Sequence, residues 1–252
     1  MLGTQGAVKA RLSILAALSA KDAELLVRLC ARQRTVKRHA DLSTDGQAGP
    51  SVFFLHEGWG ARYKLFPDGR RQILMFVLPG DIVGLNQLLA ENATESLATM
   101  TEMRLSQAPQ DAVIDTMRQR HGLAVALWRS LEQEHAILAE HLASLGRRGA
   151  LQRTAHLLLE LRLRLMATGE GSPTEFECPL TQYELADALG LTAIHINRVI
   201  RHLREQGLAS IEHRRVAIHD AEALATVAEF DGRFLSSGRP GLPEWLRRRL
   251  AR

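Results

Sequence analysis

The sequence predicts a mixed α+β chain in which a region of short strands precedes a long helix, followed by a C-terminal helix pair and a hairpin. Three observations carry this. Between Val52 and Pro109, short apolar runs alternate with glycine-bearing turns, the texture of a small antiparallel sandwich or barrel. From Asp111 to Leu145 no proline interrupts a run whose leucines fall at coiled-coil spacing. Around Gly190, a small residue, a glycine turn and β-branched residues recur at the intervals of two closely crossing helices.

In chain order, Leu12, Leu15, Leu18, Leu25, Leu26 and Leu29 predict a helix from about Ala10 to Arg32. Strands are expected at Ser51–Leu55, Arg62–Phe66, Gln72–Leu78 and Ser96–Arg104. Pro67-Asp68-Gly69 is a hairpin turn, since proline presets φ and glycine accepts the positive φ that closes it. Pro79-Gly80-Asp81 punctuates in the same way, and Gly58, Gly69 and Gly80 recur every eleven residues. The next helix, Asp111 to Leu145, would be ~50 Å long at 1.5 Å per residue, and a helix of that length wants a partner along it. A seam of Ala124, Leu127, Leu131, Glu134, Leu138, His141 and Leu145 suits a two-fold interface, with the two polar members setting register. The alternative is a core helix of one subunit. Gly146-Arg147-Arg148-Gly149 reads as a hinge, followed by a helix at Ala150–Ala167 and a polar loop from Gly169 to Glu175.

The chain has 252 residues, 46% of them hydrophobic, enough to bury a core. No apolar run approaches the ~20 residues a membrane-spanning helix needs, and no secretory signal opens the sequence. Cys30 and Cys178 are the two cysteines. They form neither a disulfide framework nor a metal cluster, so each is expected to be a small hydrophobe in a reducing cytoplasm. The net charge of +4 says less than its distribution. Between Thr192 and His219 stand five arginines (198, 201, 204, 214, 215) against Glu205 and Glu212. Arginine's planar fork suits phosphate and guanine, although a charge run alone can equally be a solvated helix face.

Leu180 to Leu203 is the most informative stretch. Thr181 with Glu184 makes a capping box. That helix runs through Leu185 and Leu189 to Gly190, and Thr192 caps a second whose inward face is Ile196, Val199, Ile200 and Leu203. This is a helix-turn-helix. Its second helix offers Ala193, Ile194, His195, Asn197, Arg198 and Arg201 to a major groove, and Thr181, Gln182 and Thr192 are further candidate DNA-binding residues. The strands Ala209–Glu212 and Val216–His219 form a wing with His213-Arg214-Arg215 at its tip. Duplex DNA is the partner this predicts.

At this point the sequence resembles the family of bacterial regulators that includes the catabolite activator protein and the fumarate–nitrate regulator. The motifs that carry the likeness are Asp68 to Ile73, Leu78-Pro79-Gly80-Asp81-Ile82-Val83-Gly84 and Thr192 to Arg198. The resemblance implies an α+β architecture with a cyclic-nucleotide-binding-like β-roll (jelly roll) and N-terminal helix at 1–110. A dimerisation helix at 111–146, a winged helix-turn-helix at 147–225 and an extension at 226–252 would follow. It implies a cytoplasmic homodimeric transcription regulator on an inverted-repeat operator, and RNA polymerase as a second partner for an activator. Arg198 falls on the family's guanine-reading arginine and Thr192 on a small hydroxyl residue near the phosphates. Ile194 departs from the glutamate that reads cytosine in relatives.

The effector pocket departs further. Gly84, Leu85, Glu95 and Ser96 align with it, but Leu85 replaces the glutamate that holds ribose in cyclic-AMP-responsive relatives, and Glu95-Ser96 replaces an Arg-Ser pair that holds phosphate. A carboxylate repels a phosphodiester, so cyclic AMP is not expected. Nor is an iron–sulfur cluster, for lack of cysteines, nor haem, for which His39 and His56 are the candidate ligands and read as surface histidines. The expectation is a regulator with no cofactor and an unidentified effector. The alternatives are a constitutive DNA-binding protein with a vestigial roll, and a cupin-like enzyme, for which His56-Glu57 is the one neighbouring ligand pair in the strands. Beyond Ala221, a helix to Ser236 is expected, and Arg247-Arg248-Arg249 reads as a solvated tail.

Overall fold

A computed structural model describes residues 6–235. The chain divides into two compact units between His135 and Ala136, inside the long helix rather than at the ends of the 111–146 segment.

In the first unit the expected N-terminal helix is two, α1 (Gly6–Leu15) and α2 (Ala20–Leu29). Ser19 causes the break. Its hydroxyl accepts from the Asp22 N–H at 3.2 Å and the Asp22 carboxylate accepts from the Ser19 N–H at 2.9 Å, a capping box that starts α2 afresh.

Eight strands follow: β1 (Gln33–Val36), β2 (Asp41–Ser43), β3 (Ser51–Glu57), β4 (Gly60–Leu65), β5 (Arg71–Val77), β6 (Ile82–Val83), β7 (Ser96–Thr99) and β8 (Met103–Pro109). They form two four-stranded sheets, ordered β1-β8-β3-β6 and β2-β7-β4-β5. The strand read as Ser96–Arg104 is therefore two, one in each sheet.

β3 shows why its sequence does not alternate. Phe53 and Leu55 pack with Val77, Leu97 and Met103 between the sheets, while Val52 and Phe54 pack against Val8, Leu12, Leu26 and Val113 of the helices. With both faces buried, the run from Val52 to Leu55 is apolar throughout. His56 on this strand is buried, not a surface histidine, and its Nε2 lies 2.7 Å from Ser106 Oγ. Burial pushes its pKa down to about 4.

The single helix expected from Asp111 is also two, α3 (Gln110–Gln119) and α4 (His121–Arg147), with Arg120 extended between them. Arg120 is locked there. It donates to Asp22 Oδ1 at 2.8 Å and to Ser19 Oγ at 3.0 Å. The N-terminal half of α4 buries Leu123, Ala126 and Leu127 in the same core as α1 and α2.

The second unit holds the rest of α4, then α5 (Ala150–Thr168), β9 (Glu175–Glu177), α6 (Gln182–Leu189), α7 (Ala193–Glu205), β10 (Ala209–Glu212), β11 (Arg215–Ile218) and α8 (Ala221–Val227). The three strands make one antiparallel sheet, β10-β11-β9. The helix expected to reach Ser236 ends at Val227, and Arg247 to Arg249 lie outside the described residues. Cys30 and Cys178 are both fully buried, and burial pushes each thiol up to about 12.

Candidate nucleic-acid interface

The helix pair is built as its sequence dictates. Thr181 Oγ1 accepts from the Glu184 N–H at 3.2 Å and Glu184 Oε2 accepts from the Thr181 N–H at 2.6 Å, so α6 starts at Gln182. It ends at Gly190, whose φ of 60° and ψ of 41° turn the chain in the space of three residues. Thr192 Oγ1 then accepts from the His195 N–H at 3.2 Å and starts α7. Ile196, Val199 and Leu203 are buried and Ile200 half-buried, which fixes the rotation of α7 about its axis.

That rotation leaves Ile194, Asn197, Arg198 and Arg201 exposed. Their spacing i, i+3, i+4, i+7 puts them on one face. Among the described residues, Arg198 and Arg201 have no carboxylate partner. Asn197 Nδ2 donates to Gln182 Oε1 at 3.3 Å, tying the start of α6 to this face. His195 is exposed beside them and Ala193 half-exposed. The hydroxyls of Thr181 and Thr192 are engaged by backbone N–H groups, so both residues act first as caps.

The second strand of the wing, β11, begins one residue earlier than expected, because Arg215 pairs with Glu212 in the ladder. The two-residue turn between them is His213-Arg214, at φ of 49° and 62°. Two consecutive positive φ values make the turn that matches strand twist, here without the usual glycine, and it presents both side chains outward. Two of the five arginines are already compensated: Arg204 lies 3.1 Å from Glu212 and Arg215 lies 3.1 Å from Glu175. Among the described residues the Arg214 side chain has one long contact, 3.5 Å, to the Pro179 carbonyl. The third strand, β9, hidden in what read as the end of a polar loop, supplies Glu175.

The seam positions expected on α4 fall into two sets by burial. Ala124, Leu131, Leu138 and Leu145 are half-exposed. Leu127, by contrast, is in the protomer's own core. Glu134 is buried against Arg62 of β4. His141 Nε2 lies 2.6 Å from Glu160 Oε2 of α5. These three side chains are engaged within the protomer. The exposed positions are one residue further on, at Trp128, His135 and Leu142. Ala124, Trp128, Leu131, His135, Leu138, Leu142 and Leu145 alternate in steps of four and three, the heptad period of a helix seam. Trp128 and Leu142, 59% and 75% exposed, are large apolar groups left in water by the single chain.

The positions aligned with an effector pocket are filled from within. Gly84 has φ of 98°, and a Cβ there would stand 2.5 Å from the Ser51 carbonyl oxygen, so this glycine serves close backbone approach. Leu85 and Ser96 are buried. Glu95 Oε1 accepts from Arg62 Nε at 2.7 Å, Gln87 Nε2 at 3.2 Å and Asn86 Nδ2 at 3.3 Å. A cation does face Glu95, and it is Arg62, which the sequence did not point to because a lone arginine in a strand of alternating polarity carries no signal of burial.

Comparison with known proteins agrees with this geometry. Residues 152–227 match the family described as Crp-like helix-turn-helix domain, and residues 33–120 match the cyclic nucleotide-binding domain. The nitrogen fixation regulation protein FixK of Azorhizobium caulinodans is 34% identical over 188 residues, 74% of this chain and 75% of that one. The transcriptional activatory protein AadR of Rhodopseudomonas palustris is 30% identical over 218 residues, 86% of this chain and 89% of that one. The solved structure of FixK2 from Bradyrhizobium japonicum shares the fold with a TM-score of 0.71 at 23% identity, covering 78% of this chain and 96% of the other.

Proposed function

The chain belongs to the family of transcription regulators that joins a cyclic nucleotide-binding domain to a Crp-like helix-turn-helix, and from that premise we propose that it acts as a two-fold homodimer on an inverted-repeat operator, with α7 as its reader helix. The observation that carries this reading is the outward face of α7. Among the described residues its cations Arg198 and Arg201 have no carboxylate partner, while its apolar side is pinned in the core. Arg198 reads guanine through its fork. Arg201 and Arg214 meet phosphate, and Arg215 does so only by exchanging Glu175 for it. Half-sites lie about one helical turn apart, ~34–36 Å.

The second copy seats along the heptad seam from Ala124 to Leu145. The protein works in the cytoplasm as an activator in contact with RNA polymerase, and the roll is regulatory, not catalytic. Among the described residues no helix is long and apolar enough to cross a membrane. The roll does not take cyclic AMP in the manner of cyclic-AMP-responsive relatives, because the carboxylate of Glu95 and its bound Arg62 occupy the phosphate position. Calorimetry with cyclic AMP at millimolar concentration should give no heat of specific binding. The test of the whole reading is selection of duplexes from a random library by the full chain. An enriched inverted repeat with a guanine in each half-site is expected, and enrichment of no common site would overturn it.

A further inference from the structure

Ile194 is the odd member of the reader face. It is the second residue of α7 and is 70% exposed, while Ile196, Val199 and Leu203 of the same helix are turned into the core. An open cleft of about 370 Å³ lies alongside, its lining including the apolar Leu151, Ile194 and Val199 and the polar His195, Arg198 and His202. Among the described residues no group covers Ile194, and the folded chain gains nothing from a branched aliphatic held in water.

The spacing puts Ile194 and Arg198 on one face, a single turn apart and ~6 Å along the helix axis at 1.5 Å per residue. Stacked bases are ~3.4 Å apart along a strand. If Arg198 reads a guanine, Ile194 meets a base edge one or two pairs away. An isoleucine neither donates nor accepts a hydrogen bond. Of the groups displayed in the major groove it can match one, the C5 methyl of thymine, and contact removes apolar surface on both sides from water. Ala193, short and half-exposed, leaves the approach clear.

We propose that Ile194 is a specificity-determining residue that reads the 5-methyl group of a thymine in each half-site, one or two base pairs from the guanine contacted by Arg198. The proposal rests on the reading of α7 as the reader helix. It makes methyl recognition, rather than hydrogen bonding, the source of selectivity at that base pair.

The experiment uses the full-length protein and the operator enriched from a random duplex library. Deoxyuridine replaces thymidine at the positions flanking the guanine, one at a time, and binding is followed by fluorescence anisotropy. Removing the methyl should weaken binding about fourfold per half-site, and about fifteenfold when both are removed. Ile194→Ala should bind the thymidine and deoxyuridine operators alike, and Ile194→Val should keep most of the discrimination. Ile194 is exposed, so these variants keep the core intact. Equal affinity of the unaltered protein for both duplexes overturns the proposal and leaves the reader helix standing. An enriched operator unaffected by Arg198→Ala overturns the reader-helix assignment, and the proposal with it.

Discussion

Arg62 and Glu134 meet in the interior, a strand arginine and a helix glutamate each less than a tenth exposed. The other branch of the guanidinium lies 2.5 Å from Glu95 Oε1, so one buried cation holds two buried carboxylates. Burial pushes the Glu134 carboxyl up, and Arg62 opposes that shift. Glu134 points at Arg62, and so Trp128, His135 and Leu142, which lie about a quarter to a third of a turn round α4 from it, are turned outward. The ion triad thus sets which face of the helix is left for a second chain.

Removing the cation should be severe. Arg62→Met leaves Glu95 and Glu134 buried without compensation and should destabilise the first unit by ~3–5 kcal/mol. The triple variant Arg62→Met, Glu95→Gln, Glu134→Met should recover most of that. Without Arg62 nothing opposes the upward push of burial on the Glu134 carboxyl, so the folded state binds more protons than the unfolded one and the deficit should shrink as pH falls. Urea unfolding at pH 7.5 and 5.5 measures both effects. A deficit equal at the two pH values would mean that the carboxylates find other cations.

The same triad shows where the sequence ceased to be legible. Local signals were read well, since Thr181–Glu184, Gly190 and Thr192 act on neighbours three residues away, and a capping box is written in the residues that form it. The breaks at Ser19 and Arg120 were missed for a related reason. Ser19 carries the cap signal, but the leucines on both sides kept helical spacing and outweighed it. Arg120 owes its extended conformation to Asp22, 98 positions earlier. The seam of α4 was half right because leucine at 3.5-residue spacing marks apolarity, not which neighbour it faces. Only the fold reveals that Leu127 meets α1 and that Trp128 meets water.

The heptad seam predicts the oligomeric state. Trp128→Asp with Leu142→Asp places four charges in a two-fold interface while leaving the protomer's own core untouched, since both side chains are exposed. Sedimentation should show a folded monomer with weak operator binding and unchanged helix content. The pair Leu127→Asp and Glu134→Leu should instead unfold the first unit, because those positions are internal. A Trp128/Leu142 variant that sediments as a dimer would move the interface elsewhere.

The reader face predicts separable effects of its arginines. Arg198→Ala should cost ~1–3 kcal/mol on the operator and relax preference at one base pair per half-site. Arg201→Ala and Arg214→Ala should weaken binding on all sequences and lower the slope of log affinity against log salt. Arg215→Ala should do less, because its charge is shared with Glu175. The check is a salt titration of each variant on operator and on scrambled duplex. Equal loss on both duplexes for Arg198→Ala would remove it from base reading.

The last prediction concerns acid. His156 is buried on α5, its ring stacked 5.6 Å from Phe234 and tilted 4.8 Å from Phe230. Its Nε2 stands 3.4 Å from Glu140, while Glu160, Arg148 and His141 complete its charged surroundings. Burial pushes its pKa down to about 4 from the ordinary 6.5, outweighing the nearby Glu160. A histidine with a depressed native pKa leaves the unfolded chain holding more protons once pH drops below 6.5. Stability of the second unit should therefore fall as pH is lowered from 6.5 to 4, by ~3 kcal/mol at the lower end. Glu160, held down to about 2 against its burial by His141 and Arg164, adds its own slope only below about pH 4.5, where the unfolded chain takes up its proton, so the fall between pH 6.5 and 4.5 belongs to His156. His156→Phe, which keeps an aromatic ring between Phe230 and Phe234, should flatten the dependence between pH 6.5 and 4. Thermal unfolding of both proteins across that range decides the matter, and parallel curves would show that His156 is not the group that takes up the proton.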